Sequence, residues 1–180
     1  TAVPYTSMSV LDTVDNILSA HNAQPEYHNI LDPASSVQLV EDQPASGAID
    51  FAEMVFLEGL VTSFPDSVPM AVEDTAASLL AGFDSAISTV RLALYDTDKL
   101  TLIDDGTPAS HVTIAQLTEF MALKQFDLSG SVFDIVDNGQ NILNFLHSSN
   151  PDKAAILQAA DDIEIAPGAS IDLTVADAKL

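Results

Sequence analysis

The chain has 180 residues, of which 47% are hydrophobic, so it is long and apolar enough to bury a core. Its 27 acidic residues against five basic ones give a formal net charge of −22, which opposes binding to nucleic acids and to anionic membrane surfaces. Because the chain contains no cysteine, disulfides, thiolate zinc sites and cysteine nucleophiles are excluded.

The first recognisable element is a short phrase that returns later in the chain. Residues 12–18 read DTVDNIL, residues 134–143 read DIVDNGQNIL, and a related phrase, VEDTAASLL, occupies residues 72–80. Aligning the phrases makes three evenly spaced aspartates equivalent: Asp12, Asp74 and Asp134. The last phrase then carries three extra residues, Gly139 to Asn141. We expect each aspartate to lie at the start of a helix, where a carboxylate meets free N–H groups; metal ligation is the alternative role.

Two further patterns return with nearly the same spacing. Apolar alternation occurs in VQLVED, LTLIDD and IEIAPG, whose central residues are Leu39, Leu102 and Ile165. A polar residue that opens an apolar run recurs at Asp50, Thr113 and Thr174. Three patterns with almost one period indicate three copies of a unit of about 60 residues.

Each unit has the same predicted order of elements. The alternating runs predict a strand, and the Pro- and Gly-containing links after them predict turns. A helix comes next, because each unit then shows a capping-box pattern: Thr113 with Gln116, Asp50 with Glu53, and, as the weakest match, Thr174 with Asp177. A second short strand is predicted at residues 126–131, 69–72 and 5–9, before the helix that begins at the repeated aspartate. In the middle unit that helix is expected to bury one stripe: Ala76, Leu79, Leu80, Phe83 and Ile87.

These elements predict an α/β fold, a solenoid-like stack of three strand–helix–strand–helix repeats with a mostly parallel sheet. The repeats run from about residue 5 to 65, from 66 to 125 and from 126 to 180, and together form one domain that spans residues 1–180. One such unit cannot cover its own sheet, so the stacked copies would share a continuous core. We expect the chain to be a fragment of a longer protein, since its last residues, LTVADAKL, look like the start of a helix.

The amino-acid sequence of three stretches resembles degenerate repeats in large bacterial proteins of the RTX type. These stretches are residues 100–117, 126–138 and 161–178. Those repeats typically pair a strand ending in TD or DD and a GTP turn with LTVAQA, and add a phrase similar to SISDTAANL. Here VTIAQL, LTVADA and VEDTAASLL take these places. The resemblance covers residues 66–180 well and the first copy more loosely.

The resemblance implies a protein that a type I system exports to the medium or to the cell surface. Proteins of this kind serve as adhesins, surface-layer components, matrix proteins or toxins. The glycine-rich calcium motif G-G-x-G-x-D is absent from the sequence. Calcium-roll binding is therefore not carried over to any residue of this chain.

Acidic pairs beside the strand of the same position in each repeat are the candidate metal ligands: Glu41 and Asp42, Asp104 and Asp105, Asp161 and Asp162. Carboxylate oxygens suit calcium, but one adjacent pair supplies too few of the roughly six to eight ligands that calcium takes. The alternative is a solvated turn in which the aspartates accept from nearby backbone N–H groups. Calcium is the one candidate cofactor. No catalytic residue is predicted, because no nucleophile or metal-spaced histidine motif occurs.

The leading expectation is a non-enzymatic structural or interaction segment of an extracellular bacterial protein, such as a spacer, adhesin, surface-layer or matrix scaffold. Its partners would be further copies of itself or neighbouring repeats of the same parent chain, with no nucleic acid. Membrane insertion is not expected, since no apolar run reaches the roughly 18 residues of a span. The alternative is a calcium- or carbohydrate-binding module that uses the acidic turns.

Overall fold

The computed structural model describes residues 9–23, 36–40, 47–61 and 70–170. In these residues short strands alternate with helices, and the strand pairs with an assigned register run parallel. The α/β class predicted from the sequence is therefore confirmed. By contacts within the chain, two compact units can be distinguished, each made of two stretches: Thr1–Glu73 with Gly82–Lys99, and Asp74–Ala81 with Leu100–Leu180.

Helices and strands of the described residues are numbered here in chain order. Up to residue 102 they are β1 (Ser9–Asp12), α1 (Val14–Ala23), β2 (Ser36–Leu39), α2 (Phe51–Leu60), β3 (Ala71–Asp74), α3 (Ala76–Phe83), α4 (Ser88–Tyr95) and β4 (Lys99–Leu102). After it they are β5 (His111–Val112), α5 (Ile114–Met121), β6 (Phe133–Asp137), α6 (Gly139–His147), α7 (Lys153–Ala159) and β7 (Ala160–Ile165).

In the first unit, β1 and β2 pair in parallel, with Ser9 opposite Ser36 and Asp12 opposite Leu39. Isolated parallel bridges join Val37 to Val61 and Ile49 to Val72. Helices α2 and α4 pack against each other, and their inner faces are buried. Close packing around α2 depends on a glycine, because a Cβ on Gly82 would lie 2.5 Å from Cζ of Phe51.

In the second unit, three strands form a parallel sheet in the order β5-β6-β7. His111 lies opposite Asp134, and Ile135 lies opposite Ile163. Strand β6 is central and shows alternating burial, with Phe133 and Ile135 almost fully buried. The core is completed by large apolar side chains from the helices: Leu117, Phe120 and Ile156.

Several local predictions are confirmed. Strands β2, β4 and β7 coincide with the three predicted alternating runs. Both of the stronger capping boxes form: Asp50 Oδ1 accepts from Glu53 N at 2.8 Å, and Thr113 Oγ1 accepts from Gln116 N at 3.2 Å. The third box, at Thr174 and Asp177, lies outside the described residues.

The second predicted strand of the third repeat is wrong. Residues 128–130 form a 3₁₀ turn, because Asp127 Oδ1 accepts from the backbone N of Ser129 and of Gly130, and the strand follows at 133–137. In the middle repeat the strand is β3, two residues later than predicted, and most of the stretch 5–9 lies outside the described residues. The predicted stripe after Asp74 ends at Phe83, since Ile87 precedes a separate helix, α4, and is 61% exposed.

The predicted helix start at Asp134 is also wrong. Asp134 lies inside β6, where the β-branched residues Ile135 and Val136 favour an extended backbone. The strand ends at Asp137, and Asn138 caps α6 with its side chain. The phrase at residues 12–18 therefore matches DNGQNIL at 137–143 without an insertion, and Asp137 takes the place assigned to Asp134.

Candidate functional site

Three strand-to-helix junctions share one hydrogen-bond pattern. At each, the side chain of the last strand residue accepts from the backbone N of the next residue, at 2.8 Å for Asp12, 2.7 Å for Asp74 and 2.7 Å for Asp137. The next residue then caps the helix: Thr13 accepts from Asn16 N, Thr75 from Ser78 N and Asn138 from Asn141 N. These carboxylates bind the backbone of their own junction, so a structural role accounts for them.

The backbone carbonyl of each of these aspartates also makes an equivalent bond to the following strand. Asp12 accepts from Val40 N at 3.0 Å, Asp74 from Ile103 N at 3.0 Å and Asp137 from Ala166 N at 2.8 Å. Each bond extends a strand pairing by one residue beyond the end of the strand.

Among the described residues, the structure brings together three carboxylates that are able to hold a cation: Asp104, Asp134 and Asp161. One oxygen of each lies within 4.8 Å of the others; Asp104 and Asp134 are half-buried and Asp161 is exposed. His111 contributes a contact, with Nε2 3.7 Å from Asp134 Oδ2. Three such oxygens are fewer than the roughly six that calcium takes, so water or loop carbonyls would supply the rest.

Four of the six predicted metal candidates are among the described residues, and two of these belong to the cluster, namely Asp104 and Asp161. Asp105 Oδ1 instead accepts from the hydroxyls of Ser110 and Thr107, both at 2.7 Å, and these bonds lower the pKa of its carboxyl. Asp162 Oδ1 accepts from Ile163 N at 2.7 Å. Glu41 and Asp42 lie outside the described residues.

For Asp134, metal ligation was the alternative to a helix start, and this residue was not grouped with the acidic pairs. Its membership depends on the sheet, because β6 lies between β5 and β7 and so carries Asp134 between His111 and the residues that begin β7. The spacing of acids along the chain contains no signal for this pairing.

A second acidic contact, in the first unit, was also missed. Burial of Glu58 on α2, together with the nearby carboxylate of Asp96, raises the pKa of Glu58 to about 7. The Glu58 carboxyl is therefore partly protonated at neutral pH. Glu58 belongs to α2, and Asp96 follows the last residue of α4. The pair therefore lies where these two helices pack together, which indicates a structural role.

A cavity of about 500 Å³ lies in the second unit beside α7 and the first residues of β7. Its lining includes the hydroxyls of Ser129 and Ser131, the amide of Gln158 and one titratable residue, Asp161. Both hydroxyls make local hydrogen bonds: Ser129 Oγ donates to Asp127 Oδ1 and Ser131 Oγ donates to Asp127 O, each at 2.7 Å.

No protein-family model, curated protein or solved structure matches this chain. None of the helices in the described part of the chain has the length and apolar character needed to cross a membrane.

Proposed function

We propose that the chain is a non-enzymatic structural or interaction segment of an extracellular bacterial protein, built from three stacked repeats. The observation that carries this proposal is the backbone bond that recurs at Asp12, Asp74 and Asp137. The three acceptors are evenly spaced along the chain, and so are their donors, which are Val40, Ile103 and Ala166. Both sets share one period of about 60 residues, the length of the proposed repeat.

Strand pairing supports the same period. Ile49 bridges to Val72, and one period later Val112 pairs with Ile135, again in parallel. In both cases the short extended segment directly precedes a capped helix, α2 or α5. A strand of one repeat would thus pair with the first strand of the next, which is how repeat proteins bury a sheet that no single unit covers.

The proposed setting outside the cell depends on the resemblance to RTX-type repeats and on composition. A chain with 27 acidic residues, five basic ones and no cysteine suits a protein exported by a type I system. A threefold repeat of one junction also favours a scaffold over an enzyme, since a catalytic site needs unlike residues brought to one place.

Sedimentation velocity of the 180-residue chain tests this proposal. An assembly segment should form larger species as its concentration rises, and more so in about 0.5 M sodium chloride, where a Debye length of about 4 Å screens the −22 charge. Circular dichroism in the same buffers provides the control that the chain is folded. A folded chain that stays monomeric under all these conditions would contradict the assembly role.

The cluster of Asp104, Asp134 and Asp161 favours calcium binding as a second candidate function. If calcium binds there, thermal melting should move upward with added calcium, by an amount equivalent to about 2.7 kcal/mol at 100 times the dissociation constant. Asp134→Asn should abolish this increase, whereas Asp162→Asn should retain it, because Asp162 lies outside the cluster. An equal increase with sodium chloride of the same ionic strength would indicate screening alone.

A further inference from the structure

Strand β7 differs from the two strands that hold the corresponding place in the proposed repeats. Leu100 and Leu102 of β4 are 0% and 1% exposed, and Val37 and Leu39 of β2 are 1% and 5% exposed. The residues one period after Leu100 and Leu102 are Ile163 and Ile165 of β7, and they are 39% and 42% exposed. An apolar pair that is covered twice is thus exposed in its third occurrence.

The segment that precedes β6 binds the outer edge of β4. Leu100 N donates to Gln125 O at 2.9 Å, and Leu100 O accepts from Asp127 N at 2.8 Å. Farther along, Leu102 N donates to Ser131 Oγ at 3.0 Å. Residues on both sides of the 3₁₀ turn at 128–130 therefore bind the outer edge of β4.

The outer edge of β7 has a local substitute for this pairing. Within the part of the chain that the structure describes, the sheet order β5-β6-β7 leaves β7 at the edge, and Ile163 N donates to the carboxylate of its neighbour Asp162 at 2.7 Å. The corresponding N–H in β4, that of Leu100, binds the main chain of the next repeat. A single exposed carboxylate is easily displaced by water or by a backbone carbonyl.

Among the described residues, strand β1 lacks a pairing strand on the edge opposite to the one that is unpaired in β7. Strand β6 has β5 on its outer side, and β3 has the bridge from Ile49. On the outer side of β1 no strand pairs with it among residues 9–23, 36–40, 47–61 and 70–170, and Leu11 is 63% exposed. The two edges are unlike and mutually complementary, which is the geometry of a head-to-tail contact between identical chains.

Resting on the repeat arrangement proposed above, we infer that the exposed edge of β7 is a docking surface for the β1 side of a second copy of this chain. The contact continues the stacking of the repeats across two molecules. Among the described residues each copy keeps one unpaired edge of each kind, so the contact is heterologous and adds copies head to tail. The acids Asp161, Asp162 and Glu164 on β7 repel the acidic partner, so association strengthens with salt.

Two substitutions that leave the net charge unchanged test the docking surface on β7. Ile163→Asn with Ile165→Asn should weaken the association measured by sedimentation by about tenfold for each isoleucine, because their burial on docking is lost. The matched control is Ile87→Asn, which removes an isoleucine of the first unit that is 61% exposed and precedes α4. It should leave association unchanged. An equal effect of the control and the double variant, or no effect of either, would overturn the inference.

Cross-linking gives an independent test of the orientation of the two copies. Because the sequence contains no cysteine, only an introduced cysteine can react. Carboxylate oxygens of Asp104 and Asp134 lie within 4.8 Å of each other, and the repeat offsets carry these positions to Pro167 and Ser9. Chains bearing Pro167→Cys and chains bearing Ser9→Cys, mixed with a short bis-maleimide, should form mixed dimers. Neither variant alone should dimerise. Dimers of Pro167→Cys alone would instead indicate two β7 edges paired together, and would refute the head-to-tail contact.

The outcomes separate this inference from the proposed function. If the unaltered chain never associates, the assembly role and the docking surface both fail. If it associates but the double variant associates equally and no mixed dimers form, the assembly role stands and the β7 surface is refuted.

Discussion

The junctions at Asp137 and Asp12 share their local hydrogen bonds but differ in what the carboxylate reaches beyond its own helix. In both, Oδ1 accepts from the next backbone N and from the side-chain amide four residues on, Asn141 at 2.8 Å and Asn16 at 2.6 Å. Asp137 additionally accepts from Ile114 N at 3.0 Å through Oδ2, and it is only 6% exposed. Asp12 is more exposed, and both of these bonds stay within its own junction.

The difference separates what a junction encodes locally from what stacking adds. The local bonds need only an aspartate, a capping residue and an asparagine at fixed positions, so they form wherever that phrase occurs. The bond to Ile114 needs α5 to begin beside β6, which follows from the pairing of β5 with β6. We expect the second kind of contact to contribute most of the stability that distinguishes the two sites.

The largest expected effect is that of Asp137→Ala. It removes three hydrogen bonds from a buried carboxylate and leaves the N–H of Ile114 without an acceptor, so it should lower the free energy of unfolding by about 3 kcal/mol. Asp12→Ala removes only local, solvent-accessible bonds and should cost clearly less. Urea denaturation followed by circular dichroism measures both. Equal losses at the two sites would show that the bond to Ile114 contributes nothing.

An intermediate effect isolates that one bond. Ile114 is the first residue of α5, where proline fits because the N–H has no helical acceptor, and Thr113 already has the extended backbone that precedes proline. Ile114→Pro should therefore cost about 1.5 kcal/mol more than Ile114→Ala, since only the proline removes the donor to Asp137. With Asp137→Ala in the same chain the difference should vanish. A difference that persists would assign the cost to the proline ring instead.

The same division explains how far the sequence predicted the fold. The capping boxes at Thr113 and Asp50 were predicted because their partners are three residues apart. Asp134 was placed at a helix start because the sequence DIVDN is similar to DTVDN. The strand instead continues to Asp137, because two residues of β6 are buried in the core. The turn at Asp127 did carry a local signal, since Ser and Gly two and three residues after an Asp favour an Asx-type turn over a strand.

The candidate cation cluster was predictable only in part, for the same reason. Acids next to β4 and at the start of β7 were candidates from the sequence, since they follow or begin recognisable strands. Their meeting with Asp134 depends on which strand lies between which, and several pairings suit the same alternating runs. The exposure of β7 likewise could not be predicted from its own sequence, because its apolar residues resemble those of the buried strands β2 and β4.

The smallest expected effect concerns the carboxyl of Asp12 itself. The side-chain amide of Asn16 and the backbone N–H of Thr13 lower its pKa below the usual 3.8, so the bonds are complete above that pH and are lost as the pH falls through the folded-state pKa. Asn16→Ala removes the larger cause and should return the pKa toward 3.8, as measured by NMR titration of the carboxyl carbon. Asn22→Ala, on the same helix, removes only a contact to Glu53 and should leave the pKa of Asp12 unchanged. An unchanged pKa after Asn16→Ala would mean that the amide does not bind the carboxylate in solution. The hydrogen bonds common to the junctions at Asp12 and Asp137 would then reduce to the backbone contacts.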